Sequence, residues 1–469
     1  MKLEELKLIE AADAIRCGEV SAEVYAEALL QRCAAAKGLN ALIVQDAVTA
    51  RAAARRAEMR RGSGQVFGPL HGVPLVIKDN LDTVGLPTTG GTQALRNNRP
   101  ARNAPVVQRL LDAGAIVFGK ANMHELAFGI TNNNAAFGPV RNPYDPTRIS
   151  GGSSGGTAVA VAARLAPGGI GTDTGGSVRI PAALCGIVGF RPTTGRWPQG
   201  GIVPVSHTRD TAGPMTRSVA DATLLDAVVT GECTASARVE LAGLRLGVPR
   251  AHFYDNLDPT VASVMTDVLG RLNAVGVVLV EAEIPDLGVL AAAASFPIAL
   301  YETVSDLNLY LRDHRTARDF AAVVAEVVSP DVKGILQGLL GPDAVPEAVY
   351  RDALTQHRPA LQDSYRSYFA DHHVAAVIFP TTPLPAARIG EDETCVLNGK
   401  PVPTFATFAR NTDPGSVAGI PGISLPAGQS REGLPVGLEL DGPAGSDRLL
   451  LAVAAAIEPL LPQIAPPMI

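Results

Sequence analysis

The sequence predicts an α/β protein: one large domain with a helical flank. Three observations carry this. Short apolar runs alternate with helical periodicity along most of the 469 residues. Leu244–Pro249, Thr260–Ala274 and Val277–Val280 read as strand, helix and strand, a βαβ-like unit. The stretch from about 287 to 370 is nearly all helical in pattern and richer in charge, so it reads as an insertion packed beside a sheet. No internal repeat or low-complexity linker divides the chain, so 1–469 is expected to be one domain. The composition is 46% apolar, enough to bury a large core.

The elements follow in order. Ser21 is placed to cap a helix over Ala22–Ala36, and Asp46–Arg60 is a second helix, rich in alanine and arginine. Gly62–Gly72 is a loop. The apolar run Val73–Ile77 is a buried strand with Lys78 at its C-terminal end, where open α/β sheets place ligands. Ala104–Gly114 is a helix and Ala115–Gly119 a strand. Asn122–Asn142 is a long polar loop, in which His124 reads as a structural hydrogen-bonder. Two glycine-rich turns follow, Gly151–Gly156 and Gly171–Ser177, separated by the small-residue helix Thr157–Arg164. Val178–Leu184 is a short helix, Ile187–Phe190 a strand, and Ser218 caps Val219–Thr230. Beyond the flank, Val374–Phe379, Gly422–Leu425 and Val436–Leu440 are strands, and Arg448–Leu461 is the last helix.

Composition narrows the function. The net charge is −6 with both signs interspersed, which argues against a nucleic-acid partner. No apolar run of membrane length and no signal peptide is apparent, so no membrane partner is expected. The five cysteines, Cys17, Cys33, Cys185, Cys233 and Cys395, are scattered without a CxxC pair, the pattern of reduced thiols in the cytoplasm. Cys185 follows an apolar run and reads as core. No HExxH, paired cysteines or calcium-loop spacing is present, and His372 and His373 are adjacent, so no metal is expected. No glycine-rich segment has the spacing of a nucleotide cradle, and no cofactor is expected.

Serine and lysine remain. Gly151–Gly155 satisfies GxSxG, but the later histidines carry no context that would complete a serine–histidine triad. A lysine can act as a base only when neutral. Burial at the end of the Val73–Ile77 strand disfavours the ammonium of Lys78, and only the neighbouring Asp79 opposes this. A serine hydroxyl needs a positioned acceptor before it attacks a carbonyl. Two serines and one lysine can form a relay in which the lysine draws a proton from one serine, which draws it from the other.

These residues resemble the amidase signature hydrolases. Gly151–Gly156 and Gly171–Pro181 are close to the family signature, with Ser153 and Ser177 at the family's interval of 24 positions. Val73–Asn80 matches the family's lysine segment, and Asn132-Asn133, Gly138-Pro139 and Asn142-Pro143 match its upstream loop. The core of the match is about 72–221, and Gly419–Gly428 also fits. The resemblance implies an α/β/α domain with a mixed, mostly parallel central sheet. It implies Ser177 as nucleophile, Ser153 as relay serine after a cis Gly152–Ser153 bond, and Lys78 as general base. The backbone N–H groups of Thr174, Gly175, Gly176 and Ser177 become the oxyanion hole. Asp173 and Arg179 brace the loop, and Ser154 caps the following helix.

Val205–Thr216, Ala220–Asp226 and Asn122–Phe128 are similar to the indoleacetamide and mandelamide hydrolase branch, which implies a small aryl-substituted amide as substrate. Other readings stay open: a broad-range amidase or esterase acting on anilides or carbamates, a glutamine amidotransferase A-type subunit, and an amide-binding protein without turnover. A homodimer is left open as its assembly. The helical insertion is expected to line part of the pocket, with residues that motif matching does not identify.

Overall fold

In a computed structural model of the chain, residues 2–63, 65, 68–232 and 238–468 are described. Cys233 and part of the expected 62–72 loop lie outside them. Among the described residues, eleven strands form one sheet: β1 (Leu42–Val44), β2 (Pro74–Lys78), β3 (Ile116–Ala121), β4 (Gly168–Asp173), β5 (Val188–Arg191), β6 (Thr211–Thr216), β7 (Arg245–Gly247), β8 (Val278–Val280), β9 (Ala376–Pro380), β12 (Gly422–Gln429) and β13 (Pro435–Asp441). The remaining two, β10 (Thr394–Leu397) and β11 (Lys400–Pro403), make a separate hairpin. The large sheet runs β1-β3-β2-β4-β6-β5-β12-β13-β9-β7-β8.

The sheet is mixed, as expected, but parallel pairing is the minority. Among the described residues, only β2–β3, β2–β4, β7–β8 and β7–β9 pair in parallel. The middle of the sheet, from β4 through β6, β5, β12 and β13 to β9, is antiparallel throughout. Helices cover both faces. Successive residues of β9 show why its apolar run is unbroken: Ala376 and Ile378 enter one core, and Val377 and Phe379 the other.

Local chemistry explains the elements. Ser21 and Asp46 accept the first free amides of the helices Ala22–Ala35 and Ala47–Gly62. The βαβ reading also holds: β7 and β8 pair in parallel beside the helix Pro259–Ala274. Three strands of the large sheet escape the sequence reading, as do both strands of the hairpin. β1 is only three residues long. β6 contains Thr211, Gly213 and Pro214, which break any apolar pattern. β4 covers Gly168–Asp173, so much of the second glycine turn is a strand. Its glycines admit neighbours rather than bending the chain. A Cβ on Gly169 would lie 2.5 Å from Val76 Cγ2 and 2.7 Å from Thr157 Cγ2.

The flank is a set of helices, chiefly Leu287–Asp313, Phe320–Glu326, Pro330–Gly338 and Arg358–His372. The first is long and apolar enough to cross a membrane by length and composition, which the sequence reading did not recognise. In the fold it packs on the α/β body, and its polar residues are used there. Glu302 and Thr303 are buried and hydrogen-bond the Val205–Thr208 segment.

The helix Gly155–Ala162 is buried along its whole length. Gly156 is required there, because a Cβ would lie 2.2 Å from Asn122 O and 2.5 Å from Ala41 O, both rigid backbone. Gly156→Ala is therefore expected to cost roughly 3 kcal/mol by overpacking, read as a lower urea midpoint than that of wild type.

Candidate active site

The parallel pairing of β2 with β4 brings two strand ends to one edge of the sheet. Ile77 is in register with Ile170, so Lys78 ends beside Thr172. Lys78 is fully buried, and its Nζ lies 2.8 Å from Thr172 Oγ1 and 2.7 Å from Ser153 Oγ. Burial lowers its pKa to about 7, against the opposing pull of Asp173 and Asp210.

Ser153 reaches Lys78 because its turn is tied on every side. The Gly152–Ser153 bond is cis. The Ser153 carbonyl accepts from the His124 amide at 3.2 Å, and the Ser154 amide donates to the Ser177 carbonyl at 3.1 Å. This last bond joins the two serine-bearing turns directly. His124 is the structural hydrogen-bonder expected: its Nδ1 accepts from Asn132 N at 3.1 Å, and its Nε2 lies 2.9 Å from Asp331 Oδ2.

Ser154 does not cap its helix through its side chain. Its Oγ accepts from Thr172 N at 3.2 Å and donates to Thr172 O at 3.1 Å, stitching the turn to β4. The capping comes instead from Asn132, whose Oδ1 accepts from Gly155 N at 3.0 Å.

The Ser177 turn is built on Asp173. Its carboxylate accepts from Gly176 N at 2.8 Å and Val178 N at 3.1 Å, and from Arg179 Nε at 3.0 Å. Arg191 Nη1 lies 3.2 Å from the same carboxylate. Burial would push Asp173 up, but Arg179 and Arg191 outweigh it and hold the carboxyl well below its usual range. Arg179, itself fully buried, also bonds Glu439, Ser416 Oγ at 2.6 Å and Thr412 O at 3.1 Å. The expected bracing by Asp173 and Arg179 thus has a concrete form.

The expected four-amide cradle is narrower than the resemblance implies, since Gly176 N–H is taken by Asp173. Gly176 is needed for another reason: its φ is +128°, and a Cβ would lie 2.1 Å from Thr412 Oγ1. Among the described residues, the amides of Gly175 and Ser177 have no acceptor in the protein. Thr174 is held by its side chain, Oγ1 lying 2.5 Å from Asp210 Oδ1.

Asp79 does not oppose the neutrality of Lys78 in the way adjacency suggests. It turns to a second buried lysine, Lys120, at 3.1 Å. Burial pushes Asp79 up and Lys120 down, each resisted by the other's charge, so the pair is neutral overall wherever the proton sits. Lys120 is the penultimate residue of β3 and pairs with Ile77, the residue before Lys78 on β2. Its place inside an apolar run among only seven lysines was the signal for it.

Thr174, Gly175 and Ser177 open into a cavity of about 630 Å³, mouth included. Its walls come from Phe128 in the long loop, Phe296 and Leu300 in the helix Leu287–Asp313, Ile335 in Pro330–Gly338, and Phe405 in Thr404–Ala409. The rings of Phe296 and Phe405 are 5.7 Å apart and tilted at 48°. The insertion contributes as expected, while Phe128 and Phe405 were not anticipated. Phe128 closes the Asn122–Phe128 stretch that carries the branch resemblance, whereas nothing marks Phe405 except the scarcity of aromatic residues, 4% of the chain.

With fold and site in view, comparison with known proteins is decisive for the class. The amidase family model matches residues 25–451, and the chain belongs to that family. It is 47% identical to an indoleacetamide hydrolase of Agrobacterium vitis over 96% of both chains. It is 42% identical to a mandelamide hydrolase of Pseudomonas putida, over 97% of this chain and 92% of the relative. The crystal structure of a peptide amidase from Stenotrophomonas maltophilia superposes with a TM-score of 0.85 at 31% identity, covering 99% of this chain and 98% of that one. The protein is accordingly an amide-hydrolysing enzyme.

Lys120→Met leaves Asp79 buried without a counter-charge. The expected loss is about 3–5 kcal/mol, measured by urea unfolding. Adding Asp79→Asn is expected to recover part of it, because no lone charge then remains.

Proposed function

We propose that this amidase hydrolyses a small aryl-substituted primary amide through an acyl-enzyme on Ser177, with Ser153 as relay and Lys78 as base. The observation that carries the reading is the 2.7 Å approach of Lys78 Nζ to Ser153 Oγ, in surroundings that bring the lysine close to neutrality at physiological pH. Neutral Lys78 takes the proton of Ser153 as Ser153 takes that of Ser177. Ser177 Oγ attacks the amide carbonyl carbon, and the developing oxyanion is met by the N–H groups of Gly175 and Ser177, with Thr174 beside them. The proton returns through Ser153 to the leaving nitrogen, the C–N bond breaks, and ammonia departs. Water then attacks the acyl-enzyme along the same relay and releases the carboxylic acid.

The aryl preference is supported by the aromatic walls at Phe128, Phe296 and Phe405, and by relatives that act on indoleacetamide and mandelamide. A hydrolysis panel tests it: indoleacetamide, mandelamide, an anilide, an ester and a carbamate. Faster turnover of the two aryl amides is expected. A preference for the anilide or carbamate would replace this reading with a broad-range one.

Ser177→Ala and Lys78→Ala are each expected to lower kcat by on the order of 10⁴-fold or more with the fold retained. A fluorophosphonate should label Ser177; labelling at Ser153 or Ser154 would refute the nucleophile assignment. The pH dependence follows from Lys78. Its folded pKa is about 7 and the reactive form is the neutral amine, so activity is lost on the acid side. Below pH 7, kcat/KM should fall about tenfold per pH unit and level off above it. A flat profile between pH 5 and 8 would exclude Lys78 as the base.

A further inference from the structure

The cavity beside Ser177 carries a charged pair within walls that are otherwise largely apolar. Arg209 and Asp413 both line it. Both terminal nitrogens of Arg209 are committed, while its buried Nε has no partner among the described residues. Nη1 donates to Ser295 O at 2.8 Å and Ser295 Oγ at 2.9 Å, while Nη2 donates to Thr174 O at 3.0 Å and Asp413 Oδ1 at 2.5 Å. Asp413 is different. Its Oδ1 is taken by Arg209, but among the described residues its Oδ2 has no partner, and the side chain is 23% exposed. An ionised carboxylate oxygen at a cavity wall seeks a donor, and leaving it without one on substrate binding costs free energy.

The position says which part of a substrate would supply that donor. Ser153 and Lys78, which return the proton to the leaving nitrogen in the proposed reaction, are both buried, Ser153 within the first glycine turn and Lys78 at the end of β2. Asp413 begins the helix Asp413–Ala418, and Arg209 links it to Ser295, next to the pocket ring of Phe296. It therefore faces the acyl half of the substrate, on the side of the aromatic walls.

We propose that Asp413 is a specificity-determining residue whose free Oδ2 accepts a hydrogen bond from a donor on the acyl half of the substrate, a ring N–H or a hydroxyl beside the carbonyl. The inference rests on the aryl-amide reading above. It explains why a pocket with aromatic walls keeps a carboxylate, and it separates donor-bearing aryl amides from their plain hydrocarbon counterparts. A site built to bond a donor discriminates strongly against an analogue lacking it.

Two substrate pairs test this with the wild-type enzyme and Asp413→Asn. Indole-3-acetamide and benzothiophene-3-acetamide differ in the ring N–H; mandelamide and phenylacetamide differ in the hydroxyl. In Asp413→Asn, Arg209 claims the amide oxygen and leaves an NH₂ group facing the substrate, so donor meets donor. Wild type is expected to favour the donor-bearing member of one pair by roughly 10- to 100-fold in kcat/KM, and the variant to lose that preference. The substitution should lower kcat/KM for the donor-bearing member of the pair more than for the plain one. The pair that responds identifies which donor is read. Equal rates within both pairs in wild type, or an unchanged preference in Asp413→Asn, overturn the inference. A wild type inactive on all four amides would instead overturn the aryl-amide reading, and this inference with it. The wild-type comparison needs no variant, so it stands even where Asp413→Asn fails to fold.

Discussion

A single buried carboxylate, Asp173 at the end of β4, receives two backbone amides of the next turn and the guanidinium of Arg179, with Arg191 alongside. Two cations keep it ionised in the core, and its ionisation gives the turn a fixed centre. Without that centre, Thr174–Ser177 would be a glycine-rich segment free to sample many conformations. With it, Gly176 gives its amide to Asp173, while those of Gly175 and Ser177 keep no acceptor among the described residues. Arg179 carries the constraint outward to Glu439 on β13 and to Ser416, so the turn is anchored to the middle of the sheet.

The electrostatics of Lys78 depend on the same arrangement. Burial drives the lysine toward neutrality, and Asp173 and Asp210 draw it back, leaving its pKa near 7. Asp173 is offset by two arginines and Asp79 by Lys120, which limits how far these carboxylates pull the amine back toward its charged form. The fold thus places six ionisable groups around the relay, and all but Asp210 have an oppositely charged partner among them. A buried charge left alone would cost several kcal/mol and would displace the lysine from the range in which it can exchange protons.

The cavity is assembled differently. Its reacting end is held by the sheet, whereas its walls are drawn from a loop, two flank helices and a short helix near the hairpin. The flank is latched to the reacting end through His124 and Asp331, and through Glu125, which accepts the Ser329 amide at 2.8 Å. Substrate selection and catalysis are therefore joined mechanically, though they come from separate stretches of chain.

Much of the site was legible in the residues alone. The two glycine turns, the serines 24 positions apart and a lysine closing an apolar strand are local patterns, and each follows from what its own residues can do. Helix starts at Ser21, Asp46 and Ser218 were legible for the same reason. What the sequence could not decide depends on partners distant in the chain. β4 looks like a turn until Val76 and Thr157 fill the space above its glycines. Ser154 looks like a cap until Thr172 competes for its hydroxyl, and Gly176 looks like an oxyanion donor until Asp173 takes its amide. Asp79 looks like a neighbour of Lys78 until the β2–β3 register supplies Lys120. The sequence by itself determined which groups the chemistry uses, because that information is local. Only the tertiary structure decided which of those groups remain free to react, because hydrogen-bond capacity is finite and distant residues compete for it.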